Sequence, residues 1–235
     1  SRLPFLLKIL SARRPLSLQA HPDARMARNG FVRENQAGVD VTDSQRTFVD
    51  DWPKPEILVA MSDFEGLCGF RDPHETRQLF DGLDIRIPVD PVLGSLTERS
   101  GPAALAETFL DCLAGDDLRR QIVTEVVSGA VNHVGEDTPL GKFARTAVEL
   151  DEYFPGDPSI LTALMLNRIH LRPGEALAVP PGLMHSYLSG TGIEIMADSN
   201  NVVRGGLTDK HIDVDSLIEI VDFQTQEPWV MTAEE

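Results

Sequence analysis

The fold of this chain is decided by the stretch Gly174-Glu-Ala-Leu-Ala-Val-Pro-Pro-Gly-Leu-Met-His185. Pro173 and Gly174 indicate a turn, and the apolar residues that follow predict a short strand. Pro180-Pro-Gly182 then predicts a second tight turn, after which His185 begins the next strand. Neutral imidazole is the commonest metal ligand in proteins, and this spacing directs one imidazole at a fixed point. The stretch therefore predicts a metal-bearing β-barrel with further ligands elsewhere in the chain.

The composition predicts a globular protein that does not bind nucleic acid. Hydrophobic residues make up 42% of the 235 residues, enough for one large domain or a domain with an insertion. The net charge of −16 argues against nucleic acid, because binding to phosphates needs basic surface. There is no apolar run of membrane-spanning length and no secretory signal pattern, and Cys68 and Cys112 have no metal-binding or redox spacing. We therefore expect a cytoplasmic monomer with reduced thiols and no membrane partner.

Turn signals and hydrophobic periodicity predict a mainly β protein with a helical insertion. Three early strands are expected, at Pro4–Leu10, Leu16–Ala20 and Ile57–Met61, with a polar surface loop over Asp23–Gln45. Helical spacing of apolar residues appears in Ala104–Leu113 and Leu118–Val127. Late strands are expected at Leu161–Leu171, Glu175–Val179, Ser186–Leu188 and Gly192–Ala197, separated by glycine or proline turns. The expected division is residues 1–71 and 156–235 for the two parts of a β-sandwich, with 72–155 as the helical insertion.

Candidate metal ligands occur in both halves of the predicted sandwich. Gln19 and His21 lie two residues apart in an apparent strand, so both side chains face the same side. Glu56 directly precedes an apolar run, and His185 supplies a second imidazole. Each taken alone has an ordinary explanation, such as a solvated charge or a turn contact. Together they form a nitrogen and oxygen set without thiolate, which suits Zn²⁺ in an open catalytic site and also accepts Mn²⁺, Fe²⁺ or Co²⁺.

A series of motifs resembles the type I mannose-6-phosphate isomerase family, in that family's order and from the first residues to about Phe223. These motifs are Pro4-Phe-Leu-Leu-Lys-Ile-Leu-Ser11, Pro15-Leu-Ser-Leu-Gln-Ala-His-Pro-Asp23, Lys54-Pro-Glu56, Gly66-Leu-Cys-Gly-Phe-Arg71, Pro173-Gly-Glu-Ala176, His185-Ser-Tyr-Leu-Ser-Gly190 and Asn201-Val-Val-Arg-Gly-Gly-Leu-Thr-Asp-Lys-His-Ile-Asp213. The resemblance implies a cupin fold, which is a jelly-roll β-sandwich carrying a helical domain. It further implies interconversion of mannose 6-phosphate and fructose 6-phosphate.

The resemblance also implies roles for individual residues. The implied ligands of one Zn²⁺ are Gln19, His21, Glu56 and His185. The implied catalytic residues are Arg204, Lys54 and Glu194. The implied contacts to the substrate are Ser17, Lys8 and Lys210 at the phosphate, with Tyr187 shaping the pocket.

The chemistry of an aldose–ketose isomerase explains why such residues are needed. A proton moves between two neighbouring carbons through an enediol(ate), so an acid–base group must reach both, and the charge on oxygen must be stabilised. Arg204 offers a planar fork of donors that is always charged. Either Lys54, beside the metal, or Glu194, in an apolar strand, is a candidate base, and the sequence leaves this choice open.

Three features depart from the family pattern. Asn200 stands where the family usually has an aspartate, while alternation along Gly192–Asn200 predicts that Asp198 and Asn200 share a strand face with Glu194. We therefore include Asp198 and Asn200 among the candidate substrate contacts, on the hypothesis that the carboxylate has moved two residues. Pro53 replaces a histidine found in many bacterial members. Strands before Pro4 and the C-terminal jelly-roll lobe after Phe223 are missing, so we expect a fold truncated at both ends.

The sequence leaves two other classes of function open. A non-catalytic or decayed cupin could bind a sugar phosphate as a regulatory or storage module. A cupin oxidase or dioxygenase could use Fe²⁺ or Mn²⁺, since one fold hosts many chemistries. Such oxidases usually carry a His-x-His pair where this chain has Gln19-Ala-His21.

Overall fold

The computed structural model of the protein describes residues 3–232, and within them nine strands form one sheet. The strands are β1 (Phe5–Ala12), β2 (Leu18–Ala20), β3 (Glu56–Ala60), β4 (Phe64–Phe70), β5 (Leu166–Leu171), β6 (Glu175–Val179), β7 (His185–Ala197), β8 (Val203–Gly206) and β9 (Val230–Thr232). The helices are α1 (Ala24–Gln36), α2 (Pro73–Asp81), α3 (Asp90–Leu93), α4 (Ser95–Glu98), α5 (Gly101–Leu113), α6 (Asp117–Ala130), α7 (Pro139–Tyr153), α8 (Ser159–Leu164) and α9 (Val214–Ile220). No helix in the described range is both long and apolar enough to cross a membrane.

Strand β7 organises the sheet because its two halves pair with different neighbours. The first half pairs antiparallel with β4 and β2, and the second half pairs antiparallel with β1 and β3. The sheet continues from β3 to β6 and β9, while β8 pairs with β2. The change of partners occurs around Gly190, whose φ of +119° favours glycine and whose Cβ position lies only 2.6 Å from the Phe64 ring.

The chain forms two compact units. The first comprises residues 3–68, Ile169–Asp222 and 228–232, and the second comprises Gly69–Arg168 and Phe223–Glu227. The first unit holds nearly all of the sheet and the second holds helices α2–α8. A mainly β fold with a helical insertion is therefore confirmed, while the division at residues 71, 72, 155 and 156 stays a prediction.

Each unit has its own apolar core. In the first unit, strands β3, β4, β6 and β7 bury a cluster around Phe64 and Tyr187, whose rings meet edge to face at 5.3 Å. In the second unit, Phe70, Phe109 and Phe223 pack ring against ring. The amide of Asn167 in that unit donates to the carbonyl oxygens of Gly69 and Gln226, at 3.1 and 2.9 Å.

Several elements expected from sequence are confirmed. Strand β6 occupies Glu175–Val179, and the tight turn at Gly182, with φ of +84°, leads into β7 at His185. Helices α5 and α6 contain the two helical runs. Strands β1, β2 and β3 lie where extended runs were expected.

Three expectations are wrong. Asp23–Gln45 contains helix α1, because Asp23 caps it by accepting from Met26 N–H at 2.7 Å and Ala27 and Gly30 pack inward. Leu161–Leu171 is not one strand, because residues 161–164 are the end of helix α8 and only Leu166–Leu171 forms strand β5. Asp157 stabilises the start of that helix by accepting from Ser159 N–H. The expected separate strands Ser186–Leu188 and Gly192–Ala197 are one strand of 13 residues, because glycine at position 190 bends it without ending it.

Burial of both cysteines leads to a simple prediction about thiol reactivity. Burial raises the pKa of Cys68 and of Cys112 to about 12, so neither is a thiolate at neutral or mildly alkaline pH. We expect the folded protein to react negligibly with a chromogenic disulfide reagent under these conditions. In denaturant, both thiols of each chain should react, giving two equivalents of the reagent's chromophore per chain. Rapid reaction of either thiol in the native state would contradict this packing.

Candidate metal centre and active site

Three buried side chains meet at one point of the first unit. His21 follows β2, Glu56 begins β3, and His185 begins β7; they are 1%, 3% and 0% exposed. His21 Nε2 lies 3.3 Å from Glu56 Oε1, and His185 Nε2 lies 3.8 Å from Glu56 Oε2. One potential ligand atom from each residue lies within 4.8 Å of the others. The sheet thus brings together residues that are up to 164 positions apart, from 21 to 185.

Backbone contacts orient both imidazoles towards this point. His21 Nδ1 lies 2.9 Å from the carbonyl oxygen of Asn201, and His185 Nδ1 lies 3.0 Å from that of Leu183. A carbonyl only accepts, so each Nδ1 carries the proton, and in the neutral ring Nε2 presents its lone pair to the centre. Gly182 N–H donates to the carbonyl of His21 at 2.8 Å and fastens the turn ahead of β7 to the end of β2.

Unpaired acceptors at this centre fit a metal ion. Within residues 3–232, His21 Nε2 and Glu56 Oε2 are buried without a hydrogen-bond partner. Two imidazole lone pairs and a carboxylate held this close repel one another and lack the solvent that would stabilise them. A divalent cation would satisfy all three, and the donor set of two nitrogens and a carboxylate suits Zn²⁺.

Gln19 supplies a fourth donor. It is paired directly across the sheet with His185 of β7 and with Arg204 of β8, so these side chains are neighbours. Its side-chain Nε2 lies 3.3 Å from His185 Nε2. Because half a turn of the amide exchanges its nitrogen and oxygen, the oxygen can occupy the same position as a ligand.

The electrostatics keep these groups in metal-binding forms. Burial raises the pKa of Glu56, but its close contact with His21 and the positive charge of Lys54 outweigh this effect and lower the pKa well below its usual range. Lys54 Nζ lies 2.8 Å from Glu56 Oε1. Burial, followed by the neighbouring His21, lowers the pKa of His185 to about 4. The structure therefore holds a carboxylate and a neutral imidazole side by side at neutral pH.

A second carboxyl group lies beside the cluster. Glu194, in β7, is 7% exposed and is paired across the sheet with Leu58 and Lys8. Burial, followed by the charge of Glu56, raises the pKa of Glu194 to about 7. Burial and the two carboxylates also raise the pKa of Tyr187 well above its usual value, so its phenol stays neutral. A proton-exchanging acid and a neutral hydroxyl thus lie next to the candidate metal ligands.

Arg204 is free to bind an anion. Among the described residues, its guanidinium makes no hydrogen bond or ion pair, although the chain carries 37 acidic residues. It also lines a narrow cavity of about 10 Å³ with Thr47 and His211, which is room for one water molecule and not for a sugar phosphate.

The three candidates for the phosphate have no polar contact with the cluster in the described part of the chain. Lys8 and Lys210 are exposed and Ser17 is half-buried, and within residues 3–232 their side chains make no hydrogen bond or ion pair to the candidate ligands. Their assignment to the phosphate stays a prediction.

The expected strand face of Asp198 and Asn200 is wrong. Strand β7 ends at Ala197, and Ser199 N–H donates back to the Ala197 carbonyl at 2.7 Å, which turns the chain out of the sheet. Asn200 is exposed, and its N–H donates to Asp50 Oδ2 at 3.0 Å. The two residues therefore do not share a strand face with Glu194, while their contact with substrate stays a prediction.

Sequence reasoning missed the polar network around Asn201. This residue is fully buried and contacts both His21 and the segment before β3. The signal was present in Ser199-Asn-Asn201, since small polar residues directly after an apolar strand favour side chain to backbone hydrogen bonds.

Comparisons with known proteins agree with this geometry. Residues 1–73 match the family model described as phosphomannose isomerase type I, catalytic domain. Mannose-6-phosphate isomerase of Escherichia coli K12 is 31% identical over 224 residues, which are 95% of this chain and 55% of that protein. Mannose-6-phosphate isomerase 1 of Arabidopsis thaliana is 30% identical over 241 residues, which are 97% of this chain and 52% of that protein.

Solved structures show the same similarity. The crystal structure of zinc-bound mannose 6-phosphate isomerase superposes with a TM-score of 0.83 at 31% identity, over 95% of this chain and 55% of that one. The apo form from Salmonella typhimurium gives the same TM-score and identity, over 95% and 56%. The chain spans about half the length of the curated relatives it matches. Over nearly its whole length the chain is therefore similar to mannose-6-phosphate isomerases, and residues 1–73 match the catalytic domain of the type I phosphomannose isomerase family.

Proposed function

We propose that this chain carries the active site of a zinc-dependent mannose-6-phosphate isomerase, interconverting mannose 6-phosphate and fructose 6-phosphate through an enediol(ate). The observation that carries the proposal is the buried cluster of His21, Glu56 and His185, with acceptor atoms that lack partners. Relatives named for this activity, and a zinc-bound structure among them, support it.

The proposed ligands of one Zn²⁺ per chain are Gln19, His21, Glu56 and His185. When bound, the metal polarises the carbonyl and hydroxyl oxygens of the substrate and stabilises developing negative charge by several kcal/mol. The backbone carbonyls of Asn201 and Leu183 fix the two imidazoles, so neither imidazole needs to rotate when the metal binds. Lys54 holds Glu56 ionised through its 2.8 Å contact.

The proton transfer needs a group that exchanges a proton near neutral pH. Glu194 is buried beside Glu56 and Tyr187, and Lys54 is the neighbouring basic group. Of the two, Glu194 is the better candidate, because the Lys54 ammonium already forms an ion pair with Glu56. We therefore propose Glu194 as the acid–base group and Lys54 as the residue that positions and balances the Glu56 charge.

Substrate binding is assigned to cationic and hydroxyl groups of the first unit. The Arg204 guanidinium has no partner among the described residues and can donate two hydrogen bonds to the phosphate or to the enediolate oxygens. Ser17, Lys8 and Lys210 are proposed for the phosphate, while Tyr187 limits the pocket. These groups offer local positive charge within an acidic protein.

We also propose that the protein acts as a cytoplasmic monomer on a small sugar phosphate. All four candidate metal ligands come from one chain, so the site needs no residue from a second copy. The excess of acidic groups disfavours nucleic acid. Gel filtration with light scattering of the active protein measures its molar mass, which should be that of one chain, 25.8 kDa.

A coupled assay for fructose 6-phosphate formation tests the function. Zinc-loaded protein should convert mannose 6-phosphate, lose the activity with a chelator and recover it when zinc is restored. Binding of the sugar phosphate without turnover would instead indicate a binding module. Oxygen consumption with Fe²⁺ or Mn²⁺ would indicate an oxidase, and either result would overturn the proposal.

Arg204→Ala should lower kcat/KM by about 100- to 1,000-fold, because it removes a charged donor fork aimed at the anionic part of the transition state. Arg204→Lys should recover only part of this loss, since ammonium cannot form the bidentate contact. The zinc content should stay native in both variants. Arg33→Ala, which removes an exposed pair with Glu219, serves as the matched control and should leave turnover unchanged. If Arg204→Ala has native kinetics, the assignment of Arg204 to substrate binding is wrong.

A further inference from the structure

Asn201 clamps the segment that leads into β3. Its Oδ1 accepts from the N–H groups of Val49 and Asp50 at 2.9 and 3.2 Å. Its Nδ2 donates to the carbonyl oxygens of Asp50 and Trp52 at 2.8 and 2.9 Å. The amide is fully buried and uses both its acceptor and its donor positions on this one segment. The path of residues 49–52 therefore depends on this side chain.

The backbone of Asn201 acts on the metal centre from the other side. Its carbonyl oxygen lies 2.9 Å from His21 Nδ1 and keeps that nitrogen protonated, so His21 Nε2 faces Glu56. Residues 49–52 are followed within four positions by Lys54 and Glu56. One residue thus holds both a candidate ligand and the approach to another.

Neighbouring polar groups make the clamp rigid. Ser199 Oγ donates to Asp50 Oδ1 at 2.9 Å and accepts from Asn201 N–H at 3.2 Å. Asp50 Oδ1 also accepts from Trp52 N–H at 3.0 Å. Ser199 is 1% exposed, so water does not replace these bonds readily. The loop after β7 and the segment before β3 are joined as one hydrogen-bonded unit.

We propose that Asn201 is a positioning residue for the metal centre: it touches no ligand atom facing the ion, yet it sets the distance and direction between His21 and Glu56. This inference rests on the metal site of the proposed function. Partners that orient metal-bound imidazoles commonly change metal affinity by about 10- to 100-fold when they are lost. A residue that only stabilises the loop would change the thermal midpoint and leave the affinity of the folded protein unaltered.

The matched pair Asn201→Ala and Asn167→Ala separates these two roles. Asn167 also donates its amide to two backbone carbonyls, but it belongs to the second compact unit. Zn²⁺ affinity is measured by competition with a chromophoric chelator, and the visible spectrum of Co²⁺-loaded protein reports the ligand geometry. Asn201→Ala keeps the carbonyl at His21 but removes the side-chain bonds that hold it against residues 49–52. Because the carbonyl is then no longer held in place, we expect Zn²⁺ to bind about 10- to 100-fold more weakly, with an altered Co²⁺ spectrum. Asn167→Ala should lower the thermal midpoint and keep both metal readouts native.

The outcomes distinguish this inference from the proposed function. Native Zn²⁺ affinity and a native Co²⁺ spectrum in folded Asn201→Ala would overturn the positioning role while the isomerase proposal stands. Failure of the unchanged protein to bind Zn²⁺ would overturn both. If Asn201→Ala does not fold, Ser199→Ala tests the same network, and it should weaken Zn²⁺ binding about threefold or more. Unchanged affinity in that variant would likewise contradict the proposal.

Discussion

His185→Ala is expected to abolish tight zinc binding and to lower isomerase turnover by more than about 1,000-fold, because several kcal/mol of charge stabilisation depend on the metal. The imidazole is fully buried at the start of β7 and lies 3.8 Å from Glu56 Oε2, and alanine supplies no donor atom in its place. Zinc content is measured by elemental analysis after dialysis, and turnover by the coupled assay.

His170→Ala is the matched control for that substitution. His170 lies in β5, is exposed, and contacts Glu65 at 2.7 Å, outside the candidate centre. Its replacement should leave zinc content and turnover native. If His185→Ala keeps one zinc per chain after dialysis, the assignment of this imidazole as a ligand is wrong.

Glu194→Gln is expected to lower kcat by about 100- to 10,000-fold, the range typical for loss of a general acid–base group. The amide keeps the size of the side chain at this buried position of β7 but neither gives nor takes the proton. Because Glu194 is not a proposed ligand, the zinc content should remain at one per chain. The measurement is steady-state turnover in both directions together with metal analysis.

Glu175→Gln controls for a carboxylate lost from a strand of the same sheet. Glu175 begins β6 and accepts from Arg172 N–H at 2.7 Å, away from the cluster. Turnover should be native in this variant. If the Glu194→Gln protein has a native kcat, Glu194 is not the acid–base group, and Lys54 becomes the candidate for that role.

Local patterns predicted those parts of the fold whose signals are themselves local. The turn at Gly182, strand β6 and helices α5 and α6 each have their own punctuation or periodicity. Helix α1 was missed because its surface is polar and only Ala27 and Gly30 pack inward, which leaves little apolar period to detect. The continuity of β7 was missed because a glycine inside a strand reads as a turn unless its pairing partners are known.

The candidate site shows the same limit. Spacing and residue type singled out His21, Glu56 and His185, and the structure brings them within ligand distance of one another. The role of Asn201 depends on contacts with residues about 150 and 180 positions away, which no local pattern encodes. Sequence alternation predicts that Asp198 lies in a strand, but strand β7 ends at Ala197, where Ser199 N–H donates back to the Ala197 carbonyl.

The most direct test of this account is X-ray absorption spectroscopy of the zinc-loaded chain, combined with metal stoichiometry. We expect one zinc per chain with two imidazole nitrogens and only oxygen or nitrogen in the remaining positions, because both cysteines are buried and protonated. Loss of one imidazole from the spectrum in His185→Ala would accompany this result. Sulfur ligation, or no zinc bound at stoichiometric concentration, would contradict the central claim.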